Sequence, residues 1–163
     1  MDKNFIDPTT PLYTLRVAAK LSKTSVYSIR QYVDKGLLLP YKTKTNRRLY
    51  SQVDIMRLIN IRKDFDEYGL NVAGIKMVMA QTPCWLIKPC SQEDCIFCDA
   101  YTSSREPCWE LTVQGPKCKQ IECRTCNVYR LVEKCGDIKS LFKEYGNKTS
   151  INEKNDDSQM VMV

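Results

Sequence analysis

Apolar positions in the first part of the chain recur at helical spacing, and polar residues suited to helix starts and turns separate them. Thr14 is placed to cap a first helix over about residues 15–21, and Ser25 to cap a second helix that ends at Gly36. The positions expected to face the core of these two helices are Val17, Ala18, Leu21, Val26, Ile29 and Val33. The pattern predicts two short helices joined by the polar turn Ser22-Lys23-Thr24.

A wing and two further helices are predicted to follow. Residues 40–50 begin with a proline and alternate threonine with cationic residues, and this pattern suits a wing. Ser51-Gln52-Val53-Asp54 is a capping box that opens a third helix, and Gly69 is a typical helix stop. Asn71 is placed to cap a fourth helix that runs to Pro83. The inward positions are expected to be Ile55, Leu58, Ile59, Phe65, Val72, Ile75 and Val78.

The arrangement predicts a winged helix-turn-helix, in which one helix enters the DNA major groove while nearby cations hold phosphates. The cations of the wing are Lys42, Lys44, Arg47 and Arg48. Residues 1–82 hold 14 Lys/Arg against 7 Asp/Glu, whereas residues 83–163 hold 11 against 12. Positive charge therefore gathers in the half that is predicted to bind DNA. The expected fold class is mainly α, a winged helix-turn-helix domain followed by a small, irregular cysteine-rich module.

Other function classes are disfavoured by composition. No apolar run approaches the length of a membrane span, and the start MDKNFIDPTT has no apolar core of the signal-peptide kind. These features predict a cytoplasmic protein. The chain contains no histidine, so the usual general base and a Cys–His nucleophile pair are both missing. We therefore expect no enzymatic activity.

Three segments resemble one known family. IRQYVDKGLLLP, NRRLYS and DEYGLNVAGIKMVM are similar to the MerR family of bacterial transcription regulators, and within it to the heat-shock repressor branch HspR. The resemblance covers residues 11–82 and predicts a DNA-binding domain over residues 1–82. It implies a homodimer that binds a palindromic operator in double-stranded DNA.

The resemblance also implies which residues meet DNA. The candidates on the recognition helix are Ser25, Tyr27, Ser28, Arg30 and Tyr32, and those on the wing are Lys42, Lys44, Arg47, Arg48 and Tyr50. For Tyr32 and Tyr50 the alternative is packing between wing and helix, and for Arg30 and Arg47 it is a solvated charge. MerR proteins usually dimerise through a long helix after the fourth one. Here Pro83-Cys84-Trp85 follows without a heptad run, and residues 132–146 supply one short helix, so the dimerisation element stays open.

Residues 83–131 form a tandem cysteine repeat. Each copy begins with Cys-Trp and ends with the block C-x4-C-x2-C-x2-Y, whose last residue is Tyr101 in the first copy and Tyr129 in the second. The repeat holds eight of the nine cysteines in two sets: Cys84, Cys90, Cys95 and Cys98, then Cys108, Cys118, Cys123 and Cys126. The module is similar to one with two Cys-Trp pairs found in signalling proteins of anaerobic bacteria, from which no chemistry carries over.

Metal binding is the preferred interpretation of this repeat. Four thiolates complete a tetrahedral zinc site, and the same donors suit an iron–sulfur cluster, so the cofactor is zinc or an iron–sulfur cluster. Each set is hypothesised to form one site. Redox-active disulfides are the alternative. Cys135 stands outside both sets and is expected to be a small buried residue. Trp85 and Trp109 are expected to form the core of the module.

Two classes of function follow. The first is a transcription regulator whose cysteine module senses metal, redox state or oxygen. The alternative is a regulator whose module is a zinc-stapled scaffold for a protein partner, with a chaperone as one candidate. An iron–sulfur electron carrier is a remote third. The tail over residues 147–163 is expected to be disordered.

Overall fold

The structure is a computed structural model that describes residues 6–88, 90–102, 105–131 and 138–146. Its first part contains four helices and a two-stranded antiparallel hairpin. The helices are α1 Leu15–Ser22, α2 Val26–Asp34, α3 Gln52–Asp66 and α4 Val72–Ala80, and the strands are β1 Tyr41–Lys42 and β2 Arg48–Leu49. The mainly α fold class with a winged helix-turn-helix is confirmed.

Helix α1 shows where the sequence pattern misleads. Val17 and Leu21, expected to face inward, are 42% and 47% exposed, so that expectation is wrong. Ala18 and Ser22 form the buried face instead, with the Ser22 hydroxyl donating to the Ala18 carbonyl at 2.7 Å. The two residues lie one turn apart, and a small serine whose hydroxyl is bonded to its own helix can be buried at low cost. Thr14 precedes the helix as expected but makes no side-chain cap bond.

Helix α2 begins and ends at the predicted residues. The Ser25 hydroxyl accepts a hydrogen bond from the backbone N–H of Ser28 at 2.9 Å, which confirms the predicted cap. Ile29 is fully buried, whereas Val26 and Val33 are half-buried. Gly36 follows with φ of 73°, the left-handed conformation that glycine adopts without strain.

The wing is a short hairpin fixed at both ends. Tyr41 pairs with Leu49, and Lys42 pairs with Arg48. At its tip, the backbone N–H of Arg47 donates to the Thr43 hydroxyl at 3.0 Å, so the turn has a defined shape. At its base, Tyr50 forms a bridge with Tyr13.

Helices α3 and α4 start at their predicted caps. The Asp54 carboxylate accepts from the Ser51 backbone N–H at 2.7 Å while the Ser51 hydroxyl accepts from the Asp54 N–H, completing the capping box. Asn71 accepts from the Gly74 N–H at 2.9 Å. Of the predicted inward positions, Ile55, Leu58 and Ile75 are buried, and Ile59, Phe65, Val72 and Val78 are half-buried.

The cysteine-rich part consists of short helical turns joined by loops. These turns are Cys84–Ile87, Gln92–Ile96, Asp99–Thr102, Cys108–Glu110, Pro116–Lys119, Cys123–Thr125 and Asn127–Arg130. None exceeds five residues within the described stretch from 81 to 131, so the long helix typical of the family does not follow α4 there. Residues 138–146 are helical, in part as predicted for 132–146. Cys135 and the predicted tail lie outside the described residues. No helix in the described ranges has the length and apolar character of a membrane span.

The second repeat packs directly on helix α3. Arg57 is fully buried, and its guanidinium lies 3.9 Å from the ring centre of Tyr129 and 4.9 Å from that of Trp109. It also donates to the Tyr129 carbonyl at 2.5 Å. The Tyr129 hydroxyl donates to Asp54 at 3.1 Å and accepts from the Leu39 N–H at 2.9 Å. Tyr129 of the module thus contacts three groups of the first domain, namely the Arg57 guanidinium, the Asp54 carboxylate and the Leu39 N–H.

We expect Tyr129→Phe to lower the free energy of unfolding by about 1–3 kcal/mol, because Asp54 and the Leu39 N–H lose a buried partner. Urea unfolding of the full chain measures the change. Tyr101→Phe is the matched control, since Tyr101 holds the same place in the first repeat but is 49% exposed. Equal losses in the two variants would contradict this account.

Candidate functional site

The outer face of helix α2 is free of contacts with the core. Tyr27 is 72% exposed, and Arg30 and Gln31 are also exposed. Ser25 and Ser28 lie at the start of the same helix, where their hydroxyls are 2.8 Å apart. This end of the helix presents side chains that can both donate and accept hydrogen bonds, as base edges require.

The wing places its cations beside that face. Lys42, Lys44 and Arg47 are exposed, and the turn that carries Arg47 is held by the bonds to Thr43. Arg48 is half-buried, and its guanidinium lies 3.7 Å from the Asp34 carboxylate at the end of α2. Arg48 therefore ties the wing to the helix, and an exposed pair of this kind contributes little stability.

Two of the predicted DNA-facing tyrosines pack inside the protein. Tyr50 is fully buried in the core between α1, α2 and α3, so the structure corrects the expectation that it meets DNA. Tyr32 is half-buried and stacks on Phe65 with ring centres 5.6 Å apart. Both residues have large apolar rings, and burial of those rings outweighs exposure at a charged surface.

The eight cysteines of the repeat line one cavity. They are Cys84, Cys90, Cys95, Cys98, Cys108, Cys118, Cys123 and Cys126. Aromatic residues from both copies complete the wall, with Trp85 and Tyr101 from the first and Trp109 and Tyr129 from the second. In each copy the two rings meet edge to face with centres 5.2 Å apart. The two tryptophans thus belong to the core of the module as well as to the cavity wall.

Burial within this cavity shifts the pKa of two of its thiols, those of Cys84 and Cys108. Burial raises the pKa of Cys84 to about 12, and the neighbouring thiols of Cys98, Cys118 and Cys90 add to the rise. Burial also raises the pKa of Cys108, followed in effect by the nearness of Cys84. A bound cation acts in the opposite direction, since it stabilises the thiolate and releases the proton.

The donor set fits a thiophilic metal in kind and number. Eight thiols without histidine can complete two four-thiolate zinc sites or ligate iron–sulfur clusters. Within the described residues, no three cysteine or acidic side chains are arranged, as they stand, to hold a metal ion. All eight cysteines line a common cavity.

The comparison with known proteins concerns the first domain. A family model described as MerR HTH family regulatory protein matches residues 13–82. Residues 13–82 form a MerR-type helix-turn-helix domain. Two similar proteins, both named HTH-type transcriptional regulator GlnR, come from Bacillus anthracis and Bacillus cereus and are 42% identical over 69 residues. A Streptomyces coelicolor protein named HspR and described as a heat shock protein is 39% identical over 70 residues.

These similarities stop where the cysteine repeat begins. The matches cover 42–43% of this chain, and they span 53% of each GlnR protein and 46% of the HspR protein. The similarity to GlnR stands beside that to HspR, so the MerR domain is not tied to the heat-shock repressor branch.

The cysteine module contacts both DNA-facing elements of the MerR domain. The Trp109 indole N–H donates to the carbonyl of Gly36, just beyond helix α2, at 2.8 Å. Arg124 lies between Cys123 and Cys126, and its guanidinium sits 5.2 Å from the ring centre of Tyr41 in strand β1. The residues next to the cysteines therefore lie against the end of the recognition helix and the base of the wing.

Salt bridges on the protein surface also hold the cysteine module against the MerR domain. Lys76 of α4 pairs with Glu106 at 2.9 Å and with Glu110 at 2.5 Å. The Glu110 carboxylate also covers Gly36, where a Cβ would overlap it. Because the carboxylate is the far end of a flexible side chain and can move, it is the positive φ that favours glycine at position 36.

Arg57, Trp109, Arg124 and Tyr129 were not predicted as contacts between the two parts. The sequence does carry a signal for Arg57, because Val53, Arg57 and Ile61 recur every four residues along α3 and all three are buried. A charge in the middle of an apolar stripe indicates a buried partner. No local pattern identifies that partner, since Tyr129 lies 72 residues further along.

Trp109→Phe is expected to loosen the end of the recognition helix, because the Gly36 carbonyl loses a donor that contributes about 0.5–1.5 kcal/mol. Amide hydrogen exchange of Lys35, Gly36 and Leu37 should become roughly 2- to 10-fold faster. The matched control is Trp85→Phe, which alters the first repeat. Unchanged exchange in the Trp109 variant would show that this bond does not hold the helix end.

Proposed function

We propose that this protein is a sequence-specific DNA-binding transcription regulator whose cysteine module binds zinc or an iron–sulfur cluster and senses metal, redox state or oxygen. The MerR domain binds double-stranded DNA as a homodimer, with α2 in the major groove and the wing on the phosphates. The observation that carries the sensing role is the contact of cysteine-flanking residues with Gly36 and with β1.

The charges and exposures of the first domain support the DNA-binding role. Arg30 projects from α2, whereas Lys42, Lys44 and Arg47 project from the wing beside it. In such an arrangement the helix contacts the bases and provides specificity, whereas the basic loop contacts the phosphates and provides affinity. Tyr27 and Ser28 complete the candidate reading surface.

The chemistry of the cavity supports the metal-binding role. The ligands would be the four cysteines of each repeat, and the metal would hold together a module made of very short helical turns. Metal binding and folding are coupled in such modules, so the loaded and the empty states differ in structure. Trp109 follows Cys108 directly and Tyr129 lies three residues after Cys126, so a change at these ligands moves side chains packed on the MerR domain.

Arg47→Ala should weaken binding to specific and random duplexes alike and lower the salt slope by about one unit, because it removes a phosphate contact. Arg30→Ala should cost roughly 1–3 kcal/mol on the cognate site alone if its guanidinium reaches a base edge. Fluorescence anisotropy on both duplexes at several salt concentrations measures these effects. Lys139→Ala, an equal charge loss outside the MerR domain, is the control. Equal losses on both duplexes for Arg30 would assign it to phosphate.

Protein purified without oxygen should contain about two zinc ions per chain, or a larger amount of iron with sulfide. Removing the metal under reducing conditions should change the affinity for the operator, because Trp109 and Tyr129 lose their supported positions. Elemental analysis, the visible spectrum and DNA titrations of the loaded and the empty protein measure this. Cys135→Ser should leave the metal content unchanged.

Other outcomes of that experiment select other functions. A colourless zinc protein whose operator affinity is the same with and without metal is a scaffold, and its signal then comes through a protein partner such as a chaperone. A protein without metal whose thiols oxidise reversibly to disulfides is a thiol switch, and the metal-binding proposal is then wrong.

A further inference from the structure

We propose that the two repeats build one polynuclear metal centre with thiolate ligands from both copies, instead of two separate four-thiolate sites. This inference rests on the metal-binding function proposed above and specifies how the site is constructed. It replaces the simplest interpretation of the tandem repeat, in which each copy folds around its own metal.

The thiols of the two copies are interleaved around the cavity. Cys118 of the second repeat lies close enough to act electrostatically on Cys84 and Cys90 of the first. It acts likewise on Cys108 and Cys123 of its own repeat. Cys118 therefore lies near thiols of both repeats.

The two Cys-Trp cysteines also face each other across the repeats. Cys84 is the neighbouring thiol with the largest effect on Cys108, ahead of the three cysteines of the second repeat that also act on it. Thiols of both repeats therefore lie near Cys108.

The backbones of the two repeats touch at this cavity. A Cβ on Gly115 would lie 3.0 Å from the Asp94 carbonyl oxygen and 3.6 Å from the Cys98 Cβ. The Asp99 N–H donates to the Val113 carbonyl at 3.2 Å. Because second-repeat chain lies directly against first-repeat chain, the two copies share one wall and no separate core lies between them.

A lysine of the first repeat reaches into the second. Lys88 Nζ lies 3.5 Å from Cys118 Sγ and 2.8 Å from the carbonyl oxygen of Lys117. A cation beside the Cys118 sulfur offsets the negative charge that accumulates when several thiolates gather. The enclosed space is about 40 Å³, several times the roughly 10–15 Å³ that one water needs. The cavity thus has room for more than one metal ion.

When both repeats supply ligands to one centre, metal binding is all-or-none. In reduced, full-length protein, Cys84→Ser and Cys108→Ser should each abolish nearly all bound metal, whereas independent sites would each lose about half. Cys135→Ser, which removes a thiol outside the repeat, is the control. Native mass spectrometry of the wild type during zinc titration should show mainly empty and fully loaded chains.

Two spectroscopic arms separate the possible metals and do not depend on the folding of a variant. With ¹¹³Cd in place of zinc, a thiolate-bridged centre should show coupling between ¹¹³Cd nuclei through a common sulfur. After anaerobic reconstitution with ferrous iron and sulfide, the iron content and Mössbauer spectrum should correspond to a single cluster per chain.

The remaining outcomes are distinguishable. Two uncoupled ¹¹³Cd sites, or two clusters, each lost separately in one of the cysteine variants, would overturn the shared centre while the metal-binding function stands. Wild-type protein that takes up neither cadmium, zinc nor iron would overturn both.

Discussion

The burial of one arginine ties the two parts of this protein together. Arg57 has no exposure to solvent, and a charge in that position costs several kcal/mol unless it is well partnered. Within the MerR domain it contacts the Met79 sulfur at 3.8 Å, and its other partners come from the cysteine module, namely the ring and carbonyl of Tyr129 and the ring of Trp109. The Asp54 carboxylate that opens α3 receives the Tyr129 hydroxyl, so the helix cap and the charge depend on the same side chain. Residues from beyond the MerR domain therefore pack on its third helix.

The duplication has given its two copies different surroundings. Both copies keep an edge-to-face Trp–Tyr pair with ring centres 5.2 Å apart, so this pairing is common to the two units. In the second copy Tyr129 is 1% exposed against α3, whereas in the first copy Tyr101 is 49% exposed. Each Trp–Tyr pair lines the cavity with one side, and its other side can pack against a neighbouring element. The first copy instead lies beside α4, where Trp85 and Tyr101 line a cavity together with Met77 and Ala80.

The sequence predicts a structural feature well when the interactions that form it join residues close together in the chain. The caps at Ser25, Ser51 and Asn71 are set by bonds within three residues, and each was predicted correctly. The inner face of α1 was not, because the choice between Leu21 and Ser22 depends on the helices that α1 packs against. The contacts of Arg57 with Trp109 and Tyr129 join residues that are 52 and 72 positions apart in the sequence, and no periodicity reveals contacts of that kind. The cysteine spacing indicates thiol chemistry, but the spacing cannot show that the two sets meet in one cavity.

The position of the contacts between Arg57, Trp109 and Tyr129 determines how a signal at the cysteines can affect the MerR domain. A ligand shifts a conformational equilibrium only by the difference between its affinities for the two states. Under the proposed function, loss of metal from a module with such short helices would withdraw order from Trp109 and Tyr129, and Arg57 would keep its charge without its aromatic partners. That penalty falls on α3 and, through Gly36, on the end of the recognition helix. Under the proposed function this coupling is reciprocal, so an operator that holds α2 in place would also stabilise the docked module and the bound metal. The effect of metal on operator affinity and the effect of the operator on metal affinity would then measure the same coupling free energy.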